Sequence, residues 1–510
     1  MSDRRTILSE SPMMKRVGRA GTDRGPGALG IWLRVPKKGR IRFVLVFLLL
    51  VAVVKIFSNR EPPEKLLAQH VRLPEPPRHE ARALPTRMPA APVVPARVET
   101  APKPRASFLG RLSLFEPELR GGVLSAVDLA GLLKKQAPNL KAVGDTIISG
   151  GATYLLHYSF DTTIIRCGQT LLKQYHPKYG ALVAMEAKTG RVLALVSYSR
   201  DSEPSLGDNL FARSLFPTAS VFKTITASAA IEKGNMNPES KLPLAGRRYT
   251  LYRFQLKEDL AAYEPVSLQD AYAYSINPVF GRIGVYVLGP SILREYMGKF
   301  GFNCQIPFEL DNEKPFAAIG DKDSALLVAE IASGFNQKTR MSPLFGAMLA
   351  AGVSENGRMP APFFVDSVTS GDSCVVFRAA PRTWRVPVRE TTAALLKSMM
   401  SRVAQYGTAR SSFRYIKHSA CFDNIDYGGK TGTVDEDRLG KIDWFVGFAS
   451  NPADSKQRIA VGVVTVHDQF WTVHSSYIAA EIFRKYIRRA QTAEKAAVRF
   501  TPANTPKPVG

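Results

Sequence analysis

Strand-like runs at both ends of a helix-patterned stretch predict an α+β fold, an antiparallel sheet with a helical subdomain. The first run, Gly180 to Val196, reads as two strands joined by a hairpin turn at Lys188-Thr189-Gly190. The second pair, Trp444 to Ala449 and Arg458 to His467, is separated by the polar turn Ser450 to Gln457 and followed by a helix pattern over Ser475 to Arg489. Between them Leu326 to Ala332, Pro343 to Ala351 and Thr391 to Val403 read as helices. The main domain is therefore expected over 179–490, with 491–510 as a disordered tail. A small N-terminal element over 107–178 precedes it, with helices near Leu124 to Lys135 and Thr163 to Lys173.

Further upstream, residues 58–106 carry eleven prolines between Pro62 and Pro104. Proline fixes φ and removes a backbone donor, so this stretch reads as an extended spacer. Ahead of it, Phe43 to Val54 is an unbroken apolar run, and Arg42 and Lys55 can lay their alkyl stems along it with their charges at the interfaces. Residues 41–57 are therefore expected to form a single transmembrane helix. The basic tail over 1–40, with Arg34, Lys37, Lys38 and Arg40, predicts a cytoplasmic N-terminus and export of everything after Phe57. A cleaved signal peptide is the rival reading, but Ser58-Asn59-Arg60-Glu61-Pro62 lacks a small-x-small cleavage pattern.

A chain of 510 residues that is 45% hydrophobic with four cysteines is neither a disulfide scaffold nor a polytopic membrane protein. Its formal charge is +25, of which +9 falls in residues 1–58. Nucleic acid is not the expected partner, because no zinc-finger spacing, RNA-binding signature or basic-zipper heptad carries the charge. No GxxxxGK[ST] occurs, which counts against nucleoside-triphosphate chemistry.

Three short motifs point to chemistry. Ser220-Val221-Phe222-Lys223 follows Pro217-Thr218 and opens an apolar helix, so a spacing of three puts the hydroxyl and the amine on one face, where the amine can take the hydroxyl proton. Alone, Ser-x-x-Lys is expected about twice by chance in a chain this long, and reads equally as a polar patch on a helix. Ser275-Ile276-Asn277, if locally extended, turns a proton-passing hydroxyl and a carbonyl-holding amide to the same side; the plainer reading is a cap or turn. Gly428-Gly429-Lys430-Thr431-Gly432-Thr433 combines a cation and hydroxyls with glycines that admit a substrate backbone, and it runs towards the aromatic strand at Trp444. The same Lys-Thr-Gly at 188–190 is a plain turn, so context separates the two copies.

In this order and spacing the three motifs resemble the transpeptidase domain of penicillin-binding proteins, the enzymes that crosslink bacterial peptidoglycan. The likeness extends to Tyr158-Ser159-Phe160-Asp161, the hairpin 180–196, the stretch from Met341-Ser342-Pro343-Leu344 to Gly357, and His467-Asp468, covering roughly residues 155–490. It implies the serine β-lactamase/D,D-transpeptidase-like fold. By resemblance Ser220 is the acylated nucleophile, Lys223 its base and Ser275 the relay returning the proton to the leaving amine. Asn277 positions the donor peptide, Lys430, Thr431 and Thr433 hold its terminal carboxylate, and the backbone N–H groups of Ser220 and Thr433 form the oxyanion hole.

The implied reaction is acyl transfer without metal or organic cofactor: Ser220 attacks a D-alanyl-D-alanine bond, releases D-alanine, and passes the acyl group to an amine of a neighbouring stem peptide. Stem peptides, nascent glycan strands, β-lactams, the inner membrane and a wall-synthesis or division complex are the implied partners. The implied location is the bacterial inner membrane, with the catalytic domain periplasmic. The residues available before the domain are too few for a glycosyltransferase. A free lysine titrates near ~10.4, so Lys223 serves as a base at neutral pH only if burial and a nearby Lys430 disfavour its charge.

Ala219 stands where the family often has glycine, and Ser333-Gly334-Phe335 lacks the usual Gly-x-Gly. A β-lactamase or β-lactam sensor, and a catalytically silent wall-complex scaffold, remain alternatives. Cys374 and Cys421 are a candidate bridge, since both precede segments that can neighbour the Lys430 strand.

Overall fold

A computed structural model describes residues 124–499 except 138, 201–207 and 258–264, with side chains to residue 492. All of these fall in the compact unit Ser107–Gly510. The expected tail over 1–40, anchor over 41–57, linker over 58–106, and residues 107–123 and 500–510 lie outside the described residues. Among the described residues no helix is long and apolar enough to cross a membrane.

Helix α1 (Ala126–Gln136) opens on a capping box in which Ser125 Oγ accepts from Asp128 N and the Asp128 carboxylate from Ser125 N. A hairpin, β1 (Thr146–Ser149) and β2 (Ala152–Tyr158), precedes α2 (Thr162–Tyr175), whose first turn is capped by Asp161. Strands β3 (Tyr179–Glu186) and β4 (Val192–Ser199) flank the Lys188-Thr189-Gly190 turn as expected. The helical middle contains α3 (Lys223–Glu232), α4 (Leu268–Ala273), α5 (Asn277–Arg282), α6 (Gly289–Phe300), α7 (Ala325–Ser333) and α8 (Pro343–Ser354). There follow β5 (Val365–Ser370), β6 (Val375–Arg378), α9 (Glu390–Gln405), β7 (Asp426–Glu436), β8 (Gly440–Ser450), β9 (Arg458–His467) and α10 (Ser475–Arg499). The last helix continues past residue 490, where the disordered tail is expected, because Ala, Glu, Lys and Arg after that point are strong helix formers.

The main sheet is antiparallel in the order β7-β8-β9-β3-β4, so the Lys430 strand is its edge. Its inner strands read as continuous apolar runs because helices cover both faces. Trp444 faces Phe216 and donates its indole N–H to Pro217 O at 2.8 Å. One residue on, Phe445 points the other way and packs on Phe413, which in turn meets Phe483 of α10.

A second sheet, β1-β2-β5-β6, joins the small N-terminal element to strands some two hundred residues later. It also separates the two cysteines expected to pair. Cys374 sits exposed at the β5–β6 turn, in a sheet that does not contain β7, whereas Cys421 lies beside Ser419; both are free, as are Cys167 and Cys304.

Candidate active site

The sequence places Ser220 in the first turn of an apolar helix; in the structure it precedes α3, in a 3-10 turn over Ala219–Phe222. Lys223 is then the first α-helical residue, and the three-residue spacing still brings the two side chains together. Ala219 holds this turn in the left-handed region at φ +46°, a conformation that costs an alanine about 1–2 kcal/mol. Two glycines make room around it. A Cβ on Gly334, itself at φ +70°, would stand 1.9 Å from Ala219 O, and one on Gly432 would stand 3.1 Å from Ala219 Cβ and 3.2 Å from Ser220 N. Only side-chain-free backbone lets the end of α7 and the β7 edge approach Ser220 this closely.

Lys223 is fully buried. Its Nζ lies 2.7 Å from Ser220 Oγ, 2.7 Å from Asn277 Oδ1 and 2.6 Å from Ser333 O. The last two oxygens can only accept, so a neutral amine spends both N–H groups on them and turns its lone pair towards the Ser220 hydroxyl. Burial, then the neighbouring charge of Lys430, hold the Lys223 amine well below the ordinary lysine range. Lys430 is buried too, donates to Ser275 Oγ and to Thr431 O, both at 2.9 Å, and is pushed down by burial to about 7.

Ser275 and Asn277 do not share one side of an extended triplet. Ser275 is left-handed at φ +56°, and Asn277 is already the first residue of α5. Two features enforce this: Ile276 between them is buried, and Pro278 pre-sets helical φ directly after Asn277. The two side chains therefore serve different lysines, Ser275 meeting Lys430 and Asn277 meeting Lys223. Thr431 bonds the hydroxyl of Thr408, and exposed Thr433 donates to Asp443 Oδ1 at 3.1 Å.

Residues that the motifs did not single out complete the site. Ser333 O and Tyr249 O act through the main chain, the latter accepting from Asn277 Nδ2 at 3.1 Å. Asp443 also accepts from Ser475 N at 2.7 Å, tying the start of α10 to the β7 edge. The Ser333-Gly334 departure was the available signal for the first of these; the others carry none in a linear reading. A cavity of about 570 Å³ between α1, the Gln305–Glu309 segment and β6 contains none of these residues, so the chemistry lies along the β7 edge instead.

The family model for the penicillin binding protein transpeptidase domain matches residues 180–488. The peptidoglycan D,D-transpeptidase PbpA of Mycobacterium tuberculosis strain H37Rv is 28% identical, over 63% of this chain and 68% of that protein. The stage V sporulation protein D of Bacillus subtilis is 26% identical, over 55% of this chain and 44% of that protein. Among solved structures, the D,D-transpeptidase domain of a peptidoglycan glycosyltransferase from Eggerthella lenta superposes with a TM-score of 0.56 at 24% identity, covering 71% of this chain and 87% of that one. The corresponding values for PBPA from Mycobacterium tuberculosis are a TM-score of 0.53 and 21% identity, over 66% and 81%. With the family model spanning more than half of its length, the chain belongs to the penicillin-binding protein transpeptidase family.

Proposed function

We propose that the chain is a peptidoglycan D,D-transpeptidase that works through an acyl-enzyme on Ser220 and is acylated there by penicillins. The observation that carries the mechanism is the placement of Lys223 Nζ, buried and 2.7 Å from Ser220 Oγ, with its other contacts on two acceptor oxygens. The neutral amine takes the hydroxyl proton as Oγ attacks the carbonyl of the D-alanyl-D-alanine bond. The tetrahedral oxyanion is received by the Ser220 and Thr433 N–H groups, each such donor being worth ~10²–10³ in rate. Ser275, held by a hydrogen bond from Lys430, relays the proton that Lys223 took on to the departing D-alanine amine, which leaves Lys223 neutral again. An amine from a second stem peptide then attacks the acyl-enzyme, and Lys223 takes its proton and returns it to Ser220 Oγ as the ester bond breaks, which restores the hydroxyl and the neutral amine. Lys430 with Thr431 and Thr433 holds the terminal carboxylate of the donor.

Relatives named peptidoglycan D,D-transpeptidases support the reaction class. The reading extends to a single-pass anchor over 41–57, which would keep the catalytic unit at the periplasmic face of the bacterial inner membrane, within reach of a wall-synthesis complex. The test is mass spectrometry after penicillin exposure. A stoichiometric, slowly released adduct on the Ser220 peptide, lost in Ser220→Ala, is expected. Rapid turnover of nitrocefin would instead indicate a β-lactamase, and absence of any adduct a silent scaffold.

A further inference from the structure

The hydroxyl of Thr433 is claimed twice. A threonine hydroxyl has one proton, and Thr433 gives it to Asp443 Oδ1 at 3.1 Å, so the oxygen is left with lone pairs alone for the cleft. The terminal carboxylate of a donor peptide can only accept, and it needs that same proton. Asp443 stands directly across β7 and β8 from Thr433 and is buried at 5% exposure, where little water screens its charge.

Asp443 is itself fixed in place. Its Oδ2 accepts from Ser475 N at 2.7 Å, at the start of α10, and Ser475 Oγ donates to Asp443 O at 2.7 Å. A titratable ring stands beside it: His474 Nδ1 lies 3.7 Å from Asp443 Oδ2, and this exposed imidazole meets Trp471 with centroids 5.1 Å apart. The Asp443 carboxylate holds His474 above the ordinary histidine range, so the ring keeps its proton to higher pH than a free histidine. Neighbouring ionisable groups have other partners. His467 is buried, shares a hydrogen bond with Thr465 Oγ1 at 2.9 Å, and is held below the ordinary range by burial. Asp468 meets Arg200 at 2.9 Å and Lys178 at 4.0 Å, and Lys441 meets Asp435 at 2.7 Å.

Resting on the transpeptidase reading, we propose that Asp443 is a positioning residue that acts through Thr433 as a brake on carboxylate-ended substrates, released when His474 is protonated. With His474 charged, the pair is neutral as a whole, and a substrate carboxylate takes the Thr433 proton from Asp443. Once His474 loses its proton, Asp443 keeps the hydroxyl, and its unbalanced charge repels the incoming carboxylate. Affinity for the donor end is therefore lost as pH rises through the His474 titration.

The test uses the full chain and benzylpenicillin, whose carboxylate stands in for that of the donor peptide. Stopped-flow labelling separates the dissociation constant from the first-order acylation of Ser220. Lys430 also loses charge as pH rises, so the native chain is read against Asp443→Asn at each pH. The two dissociation constants should match at about pH 5.5, and the native one should be about tenfold weaker at about pH 9, the effect of one charge a few ångströms away near a surface. In a His474→Gln background the tenfold gap should stand at both pH values. Penicillin methyl ester, which lacks the carboxylate, should show no gap. Should Asp443→Asn melt early, His474→Gln alone decides, by weakening binding about tenfold at about pH 5.5 and not at about pH 9. Equal constants at both pH values, a gap in the native background that ignores pH, weaker binding in Asp443→Asn or the same gap with the ester each overturn the brake, as does unchanged binding in His474→Gln. Absence of any Ser220 adduct removes the transpeptidase reading and the brake with it, whereas an adduct without the gap removes the brake alone.

Discussion

Lys223 and Lys430 are two fully buried amines serving one site, and their charges compete. Burying a cation without an anion beside it is expensive, so the pair relieves the cost by giving up a proton. Lys223 is the one to lose it, since it feels both burial and the charge of Lys430. Replacing Lys430 with the similarly shaped methionine removes the like charge, and the Lys223 amine then moves up towards its ordinary range. The acylation rate of Lys430→Met should therefore rise with pH along a limb displaced to higher pH than in the native chain. At pH 7 it should fall by about 100-fold, because a cation for the substrate carboxylate is lost as well. Stopped-flow acylation from pH 5 to 10 measures both, and a limb that stays in place would sink the coupling between the two amines. Stability follows the same sign. Lys430 titrates at about 7 when folded and near ~10.4 when unfolded, so between these values the unfolded chain binds more protons and stability is lost as pH falls from about 10 towards 7. Urea unfolding of the native chain should show that slope, reduced in Lys430→Met.

At the scale of elements, the catalytic turn is held by the end of one helix and the edge of one strand. Gly334 closes α7 in the left-handed region and so delivers Ser333 O to Lys223. Gly334→Ala costs about 1–2 kcal/mol for its φ and drives a Cβ into Ala219 O, which must displace Ser220. The expectation is a melting temperature several degrees lower and acylation slowed by at least about 100-fold, since misplacing a nucleophile by an ångström has that effect. Native acylation rates in Gly334→Ala would remove the argument. The strands that position this edge were legible: Arg458–His467 is a run dominated by β-branched residues, and its bounds are those read from the sequence. Ser220 and Lys223 were legible because one helical turn fixes their separation whatever surrounds them. Ser275 and Asn277 were legible as participants but not in geometry, since the pull of buried Ile276 and the φ of Pro278 outweigh the extended pattern. Ser333 O and Tyr249 O act through main-chain atoms that every residue possesses, so no residue type announces them.

For the whole molecule, the non-local pairing of β2 with β5 sets where the folding unit starts. No local pattern in Ala152–Tyr158 names Val365–Ser370 as its partner, which is why the sequence suggests a separate small element. The structure ties that element in at several points. Tyr158, Phe160 and Phe364 form a triangle of near-parallel rings with each pair of centroids 5.3–5.9 Å apart, Ser159 N donates to Phe364 O, and Asp161 pairs with Arg489 of α10 while its N–H meets Leu193 O of β4. In α2 the buried Ile164, Leu171 and Leu172 face the rest of the core, each worth about 1.5–3 kcal/mol of burial. Family resemblance over 180–488 invites trimming the chain to start at Tyr179. That cut removes α2 with at least about 5 kcal/mol of apolar burial, comparable with the total stability of an ordinary domain, and leaves β5 as an open edge without its neighbour. The trimmed chain should unfold without a cooperative transition, aggregate, and fail to label with fluorescent penicillin, whereas a chain starting at Leu124 should melt cooperatively and label. Cooperative melting with a native labelling rate in the chain starting at Tyr179 would show that β1, β2 and α2 are an accessory rather than part of the catalytic fold.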